Sequence, residues 1–129
     1  MKYDTLKQWH SIVNDKDTAS LATLLDDNAV FHSPIVHTPQ VGKQITLQYL
    51  TAALHVLFND TFKYVREIIG ESNAMLEFEV EIEGVIVNGV DIISWNETGK
   101  IVDFKVMVRP LKAVNIVHQV MMQQLQNNK

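Results

Sequence analysis

The stretch Leu76-Glu77-Phe78-Glu79-Val80-Glu81-Ile82-Glu83 decides the fold class. Apolar side chains alternate with glutamates, the period of a strand buried on one face and solvated on the other. On its C-terminal side, Val85 to Trp95 reads as a strand apolar on both faces, and Asn96-Glu97-Thr98-Gly99 as a turn. Ile101 to Val108 alternates again, with Val102, Phe104, Val106 and Val108 on one side. Pro110 closes that strand and can open a helix over Leu111 to Gln126. On the N-terminal side, Gly70 to Asn73 is a turn preceded by a less regular strand, Thr61 to Ile69. One turn has two candidates. Asn88-Gly89 is the stronger hairpin dipeptide, but Glu83-Gly84 lets the next strand match its neighbours in length and is preferred. Gly89 is then expected to mark a bulge or bend.

The first half changes period. Leu6, Trp9 and Ile12/Val13 share one helical face. Asp17 or Thr18 can cap a short second helix with Leu21, Leu24 and Leu25 on its face. Asn28 to His32 reads as a brief strand stopped by Ser33-Pro34, and Ile35 to Val41 as a loop. Helical spacing returns from Lys43 to Phe58 through Ile45, Tyr49, Ala52/Ala53 and Val56. Helices followed by an antiparallel meander predict an α+β domain spanning residues 1–129, with a curved sheet wrapped around N-terminal helices and a C-terminal helix. Such a cone can leave an apolar pocket between helix and sheet.

Composition narrows the function. In 129 residues, 47% are hydrophobic and 20% charged, an ordinary globular balance. The absence of cysteine excludes a disulfide scaffold, a thiolate zinc site and a cysteine nucleophile. A net charge of −4 without a basic stripe argues against a nucleic acid partner. No apolar run approaches a membrane span, and Met1-Lys2-Tyr3-Asp4-Thr5-Leu6 does not read as a signal peptide, so a cytoplasmic protein is expected. No His-x-x-x-His, phosphate-binding glycine loop or nucleophile elbow occurs. Neither a metal nor a cofactor is therefore expected.

Four local strings carry a resemblance. They are Trp9 to Asp17; Leu25-Asp26-Asp27-Asn28-Ala29-Val30-Phe31-His32-Ser33-Pro34 with its loop to Gly42; Gly89 to Trp95 with the turn to Ile101; and Val106-Met107-Val108-Arg109-Pro110-Leu111. In this order the chain resembles the nuclear transport factor 2-like superfamily, and within it the SnoaL-like branch. The resemblance implies a cystatin-like cone around an apolar pocket, often homodimeric, and functions that include ketosteroid isomerases, polyketide cyclases, epoxide hydrolases, dehydratases and non-catalytic modules. Isomerases of this superfamily use a carboxylate base, with a tyrosine and a protonated aspartate holding the oxyanion. Laid on this chain, the base falls on Ser33, the tyrosine on Trp9 and the aspartate on Asp91. Only Asp91 matches, so ketosteroid isomerisation is not expected.

Asp91 lies in a run where burial would raise its pKa and suit it to acid–base work; a register-setting hydrogen bond is the plainer role. His32 and His37 flank Pro34 and could shuttle protons, although strand alternation points His32 away from Phe31 and Ser33. The expected walls are Trp9, Val13, Phe31, Ser33, Phe58, Phe78, Val80, Asp91, Phe104, Val106 and Val108. The glutamate stripe reads as a solvated face, with Asp103, Lys105 and Arg109 placed to pair with it across strands. The expected function is binding of a small, mostly apolar organic molecule. The alternative is a cyclase, isomerase or hydratase using Asp91 as general acid or base, and a protein-docking module is a third class. A homodimer through the outer sheet face is expected, because Ile86, Val90, Ile92 and Met107 would otherwise lie near solvent.

Overall fold

A computed structural model describes residues 4–127. The chain runs α1 (Thr5–Asp15), α2 (Thr18–Leu24), β1 (Leu25–His32), β2 (Gln40–Val41), α3 (Lys43–Val56), β3 (Lys63–Ile69), β4 (Asn73–Ile82), β5 (Val85–Trp95), β6 (Ile101–Arg109) and α4 (Leu111–Asn127). This is the expected α+β order, with a curved, unclosed six-stranded sheet in the order β2-β1-β6-β5-β4-β3. Among the described residues no helix is long and apolar enough to cross a membrane.

Local chemistry sets the boundaries. Asp4 accepts the Lys7 N–H at the start of α1, and Asp17 accepts the Ser20 N–H at the start of α2. Leu25, expected on the α2 face, is instead the first residue of β1, which begins three residues earlier than the alternation suggested. Glu83 and Gly84 both have positive φ, 50° and 81°, and join Ile82 to Val85 directly. That is the turn geometry a right-twisted hairpin prefers, so the hairpin turns here and Asn88-Gly89 lies within β5.

Two expectations about β5 and β6 need correction. Gly89 is not a bulge: β4 and β5 pair without interruption, with Gly89 opposite Phe78. A Cβ at Gly89 would run into the Phe78 ring and come within 2.6 Å of the Met107 carbonyl oxygen. Glycine is needed there for close packing rather than for a bend. The bulge lies instead between Ser94 and Trp95 against β6. It resets the alternation, so that Ile101, fully buried, takes the inward place expected for Val102.

The helices cover one face only. Trp9 and Ile12 of α1, Leu50 and Leu54 of α3, and Val117 and Val120 of α4 share one buried cluster with Leu76, Phe78, Val87, Ile93 and Phe104 of the sheet. Thr5 Oγ1 donates to the Gly99 carbonyl at 2.7 Å and Thr46 Oγ1 to the Ala29 carbonyl at 3.1 Å, fastening α1 and α3 to strand ends. Because α4 packs on α3, β5 and β6 from the same side, it does not fold over the opposite face. The cross-strand partners of the glutamate stripe also differ from expectation. β6 pairs with β5 and β1, not with β4, so Asp103 and Lys105 cannot oppose the glutamates. Arg66 of β3 pairs with Glu77 at 3.2 Å, and Arg109 donates to Asn88.

The close approach at Gly89 gives a direct test. Gly89→Ala should lower unfolding stability by about 1–3 kcal/mol, the usual cost of forcing atoms into a packed core. Urea denaturation showing an unchanged midpoint would mean that Phe78 is free to move aside.

Candidate functional site

Asp91 faces inward from the middle of β5, between Leu76 of β4 and Val106 of β6, and is only 3% exposed. A carboxylate there has lost its hydration and needs a partner. The partner comes from β3, two strands away: the Tyr64 hydroxyl donates to Asp91 Oδ2 at 2.6 Å. Two strand spacings amount to about 10 Å on a flat sheet, so the sheet's curvature and the length of tyrosine together make this bond possible. Trp9 of α1 completes the chain, its indole N–H donating to the Tyr64 oxygen at 3.0 Å.

The direction of this chain is fixed by chemistry. Indole can only donate, so the Tyr64 oxygen accepts from Trp9 and its own proton goes to Asp91. Burial is the larger effect on Asp91 and raises its pKa to about 7; the Tyr64 hydrogen bond opposes it. Burial first, then the charge of Asp91, pushes Tyr64 well above its ordinary value of 10.0, so the phenol stays protonated. Asp91 Oδ1 takes no hydrogen bond from a described residue, yet no fully enclosed side-chain N or O among them lacks a partner. Oδ1 therefore opens to the cavity. It presents an O–H donor when Asp91 is neutral and an acceptor when it is ionised.

The cavity that Asp91 borders has a volume of about 50 Å³ and an almost wholly apolar wall. Trp9, Phe31, Ser33, Phe58, Phe78, Phe104 and Val106 lie on that wall, as expected positions. The other expected walls lie elsewhere. Val80 is buried in the core away from the cavity, Val13 borders a separate polar cleft, and Val108 borders a depression on the outer face. Leu50, Leu57, Phe62 and Val117 line the cavity without having been singled out, and Met121 of α4 joins them. Ser33 Oγ accepts the N–H groups of Ile35 and Val36 at 3.0 and 3.3 Å, which shapes the loop at the cavity edge. Its lone pairs are thus engaged, and it has no base beside it.

His32 does not join this group. It points to the other side of β1, where Nε2 meets Asp103 Oδ1 at 2.9 Å, so the candidate catalytic His32 is an outer-face residue away from Asp91. His37 lies exposed in the loop and is not among the cavity's lining residues. Among the described residues no three His, Asp or Glu side chains gather as a metal site. Tyr64 is the residue that sequence reading missed. A register shift between Tyr64 and Arg66 breaks the alternation of β3, so its face could not be read from the pattern.

The site is thus a buried apolar cavity between helices and a curved sheet, with one carboxyl group reaching it. The chain belongs to the SnoaL-like domain family of the NTF2-like superfamily, whose pattern it matches over residues 6–104. It is similar to a steroid delta-isomerase from Pseudomonas aeruginosa, with 32% identity over 96% of this chain and 90% of that one and a TM-score of 0.90. It is also similar to an uncharacterised bacterial protein with a cystatin-like fold from Silicibacter pomeroyi, with 27% identity over 93% and 84% of the chains and a TM-score of 0.84. SalBIII, an epoxide hydrolase/cyclase-like enzyme of pyran ring formation in salinomycin, shares the fold at 16% identity over 81% and 88% of the chains, with a TM-score of 0.66. No curated protein matches the chain.

The raised pKa of Asp91 makes stability depend on pH in a defined direction. Below the unfolded value of 3.8 both states hold the proton, and stability is unaffected. Between 3.8 and about 7 the unfolded chain ionises while the folded one does not, so stability falls as pH rises and levels off above about 7. The full span corresponds to about 4 kcal/mol as an order of magnitude. Asp91→Asn should remove this slope and be the more stable form at about pH 8. Urea denaturation across the pH range would read it, and equal slopes in the two proteins would place the Asp91 pKa near its unfolded value.

Proposed function

We propose that this protein binds a small, mostly apolar organic molecule in the inner cavity and that Asp91 addresses the ligand's polar atom. The observation that carries the reading is the Trp9–Tyr64–Asp91 chain, which leaves Oδ1 of the one carboxyl group among the described lining residues turned toward an apolar wall. Tyr64 also favours the reading in which Asp91 exchanges a proton with the ligand. A carboxyl group with a pKa near 7 and a neutral donor behind it suits a general acid or base of the cyclase, isomerase or hydratase type. The likeness to a steroid delta-isomerase supports an isomerase-like chemistry without supplying its base, because Ser33 stands at the position where the resemblance expects a carboxylate.

A six-membered enone such as cyclohexenone is a suitable first probe, since it is compact and offers one carbonyl oxygen. Its binding should perturb the NMR signals of Trp9 and Tyr64, and Asp91→Asn should weaken it by about tenfold, the worth of one hydrogen bond to a buried polar group. Unperturbed Trp9 and Tyr64 signals at saturation would move the ligand site elsewhere. A 3-oxo-Δ5-steroid should not be isomerised above background. Turnover of that steroid would show that another residue serves as base.

The proposal includes a homodimer through the outer face of the sheet and a cytoplasmic setting. Ile68, Met75 and Met107 are 59, 42 and 49% exposed there, around a depression of about 340 Å³ edged by Arg66, Glu77 and Arg109. An apolar centre with both signs of charge at its rim is self-complementary across a two-fold axis. Light scattering at micromolar concentration should give twice the monomer mass, and Met107→Glu should halve it. A monomeric wild type would remove the dimer from the proposal.

A further inference from the structure

The inner cavity is smaller than an ordinary ligand pocket, and the structure shows where the missing space lies. Phe58 and Phe62, with ring centroids 4.1 Å apart, line the inner cavity on one side. The same two rings line a second, polar cleft of about 270 Å³ on the other. Trp9 borders the cavity, and Val13, one helical turn later, borders the cleft. Tyr64 borders the cleft while its hydroxyl is bonded to Trp9 and Asp91 of the cavity wall. The two spaces therefore share two aromatic residues, Phe58 and Phe62.

The cleft differs from the cavity in chemistry. Lys16 and Lys63 border it and form no ion pair with a described residue, while Asp60 is its sole acidic lining group. Lys16 is the C-cap of α1, its backbone N–H bonded to the Ile12 carbonyl, so its starting point is fixed. Lys63 opens β3, one residue from both Phe62 and Tyr64. Asn59 is partly engaged, its Oδ1 accepting from Thr61 and one N–H donating to the Glu81 carbonyl. Lys16 and Lys63 are the cationic groups on its wall.

Resting on the pocket reading above, we infer that the cavity and the cleft are two halves of one ligand site gated by Phe62, and that its ligand is amphipathic, with an apolar body inside and an anionic head held by Lys16 and Lys63. Phe62 is the ring that moves. It is half-buried, it precedes β3 at the end of the 57–62 connection, and its neighbours are other rings, Phe58, Tyr64 and Phe78. With it displaced, 50 Å³ and 270 Å³ become continuous, reaching the lower end of the usual range of about 300 Å³ for organic ligands. Val13, expected from the sequence as a pocket wall, then lines the outer half.

Two fluorescent probes that differ by one sulfonate test this: anilinonaphthalene sulfonate and uncharged N-phenylnaphthylamine. The double variant Lys16→Gln/Lys63→Gln should weaken the sulfonate by about fivefold or more, the range expected for two exposed ion pairs, and leave the neutral probe unchanged. An equal effect on both probes, or none on either, overturns the anionic head. Phe62→Ala should speed association of the neutral probe in stopped flow, with Phe62→Leu as the milder variant should alanine impair folding. Association rates matching wild type in a folded variant overturn the gate. Ala53→Leu, which fills the inner cavity without touching the cleft, checks the underlying pocket reading separately. It should weaken both probes, and full retention of both would show that neither enters the inner cavity.

Discussion

Everything distinctive in this molecule depends on burying one carboxyl group without a positive charge to meet it. A fully buried ionised aspartate without a cation is expensive. Two neutral donors in series resolve the difficulty here, one from a helix and one from a strand. Trp9, Tyr64 and Asp91 come from α1, β3 and β5, so the hydrogen bonds also fasten the first helix to the outer half of the sheet. Tyr64 does not neutralise Asp91; it lowers a pKa that burial has raised, leaving it close to neutrality. A cation in its place would hold the group ionised, and an apolar ring would hold it protonated. The neutral phenol leaves both forms accessible near pH 7, the condition under which a carboxyl group can give and take a proton.

The sheet was legible in the sequence wherever its pairing is local. The alternation of residues 76–83, the Glu83–Gly84 turn and the end of β6 at Pro110 all follow from short-range signals. β1 is different: it lies parallel to β6, with Phe31 opposite Phe104 and more than seventy positions apart in the chain. No local pattern announces such a partner. Bulges hid the remaining faces. The shift after Tyr64 concealed the second member of the site, and the one after Ser94 exchanged Ile101 for Val102 in the core. Asp91 was legible for the opposite reason, as the one carboxylate within a run of residues apolar on both faces.

The departure at Ser33 has a structural meaning beyond the missing base. Its oxygen accepts two backbone N–H groups of the loop that edges the cavity, the local bonding that makes serine a turn residue. The residue thus serves the shape of the loop. Its hydroxyl proton remains free to donate, so the wall facing Asp91 offers hydrogen-bond donation without basicity. Asp91 is therefore the one carboxyl group among the described residues of the cavity wall.

β5 is the strand through which the two faces of the sheet constrain each other. Gly89 and Asp91 point inward, Asn88 and Val90 outward, and Met107 lies beside Val90 on β6. Gly89 is pinned between the Phe78 ring on the inner side and the Met107 carbonyl of the neighbouring strand. A shift of β5 toward either face therefore closes one contact or opens the other, and it moves Asp91 relative to Tyr64, which is anchored on β3. A hydrogen bond of 2.6 Å tolerates little such motion. Anything that stiffens the outer face around Val90 and Met107 thus also holds the carboxyl geometry inside. For a sheet covered by helices on one side only, a second surface laid against the outer face would be a means of keeping the inner site in register.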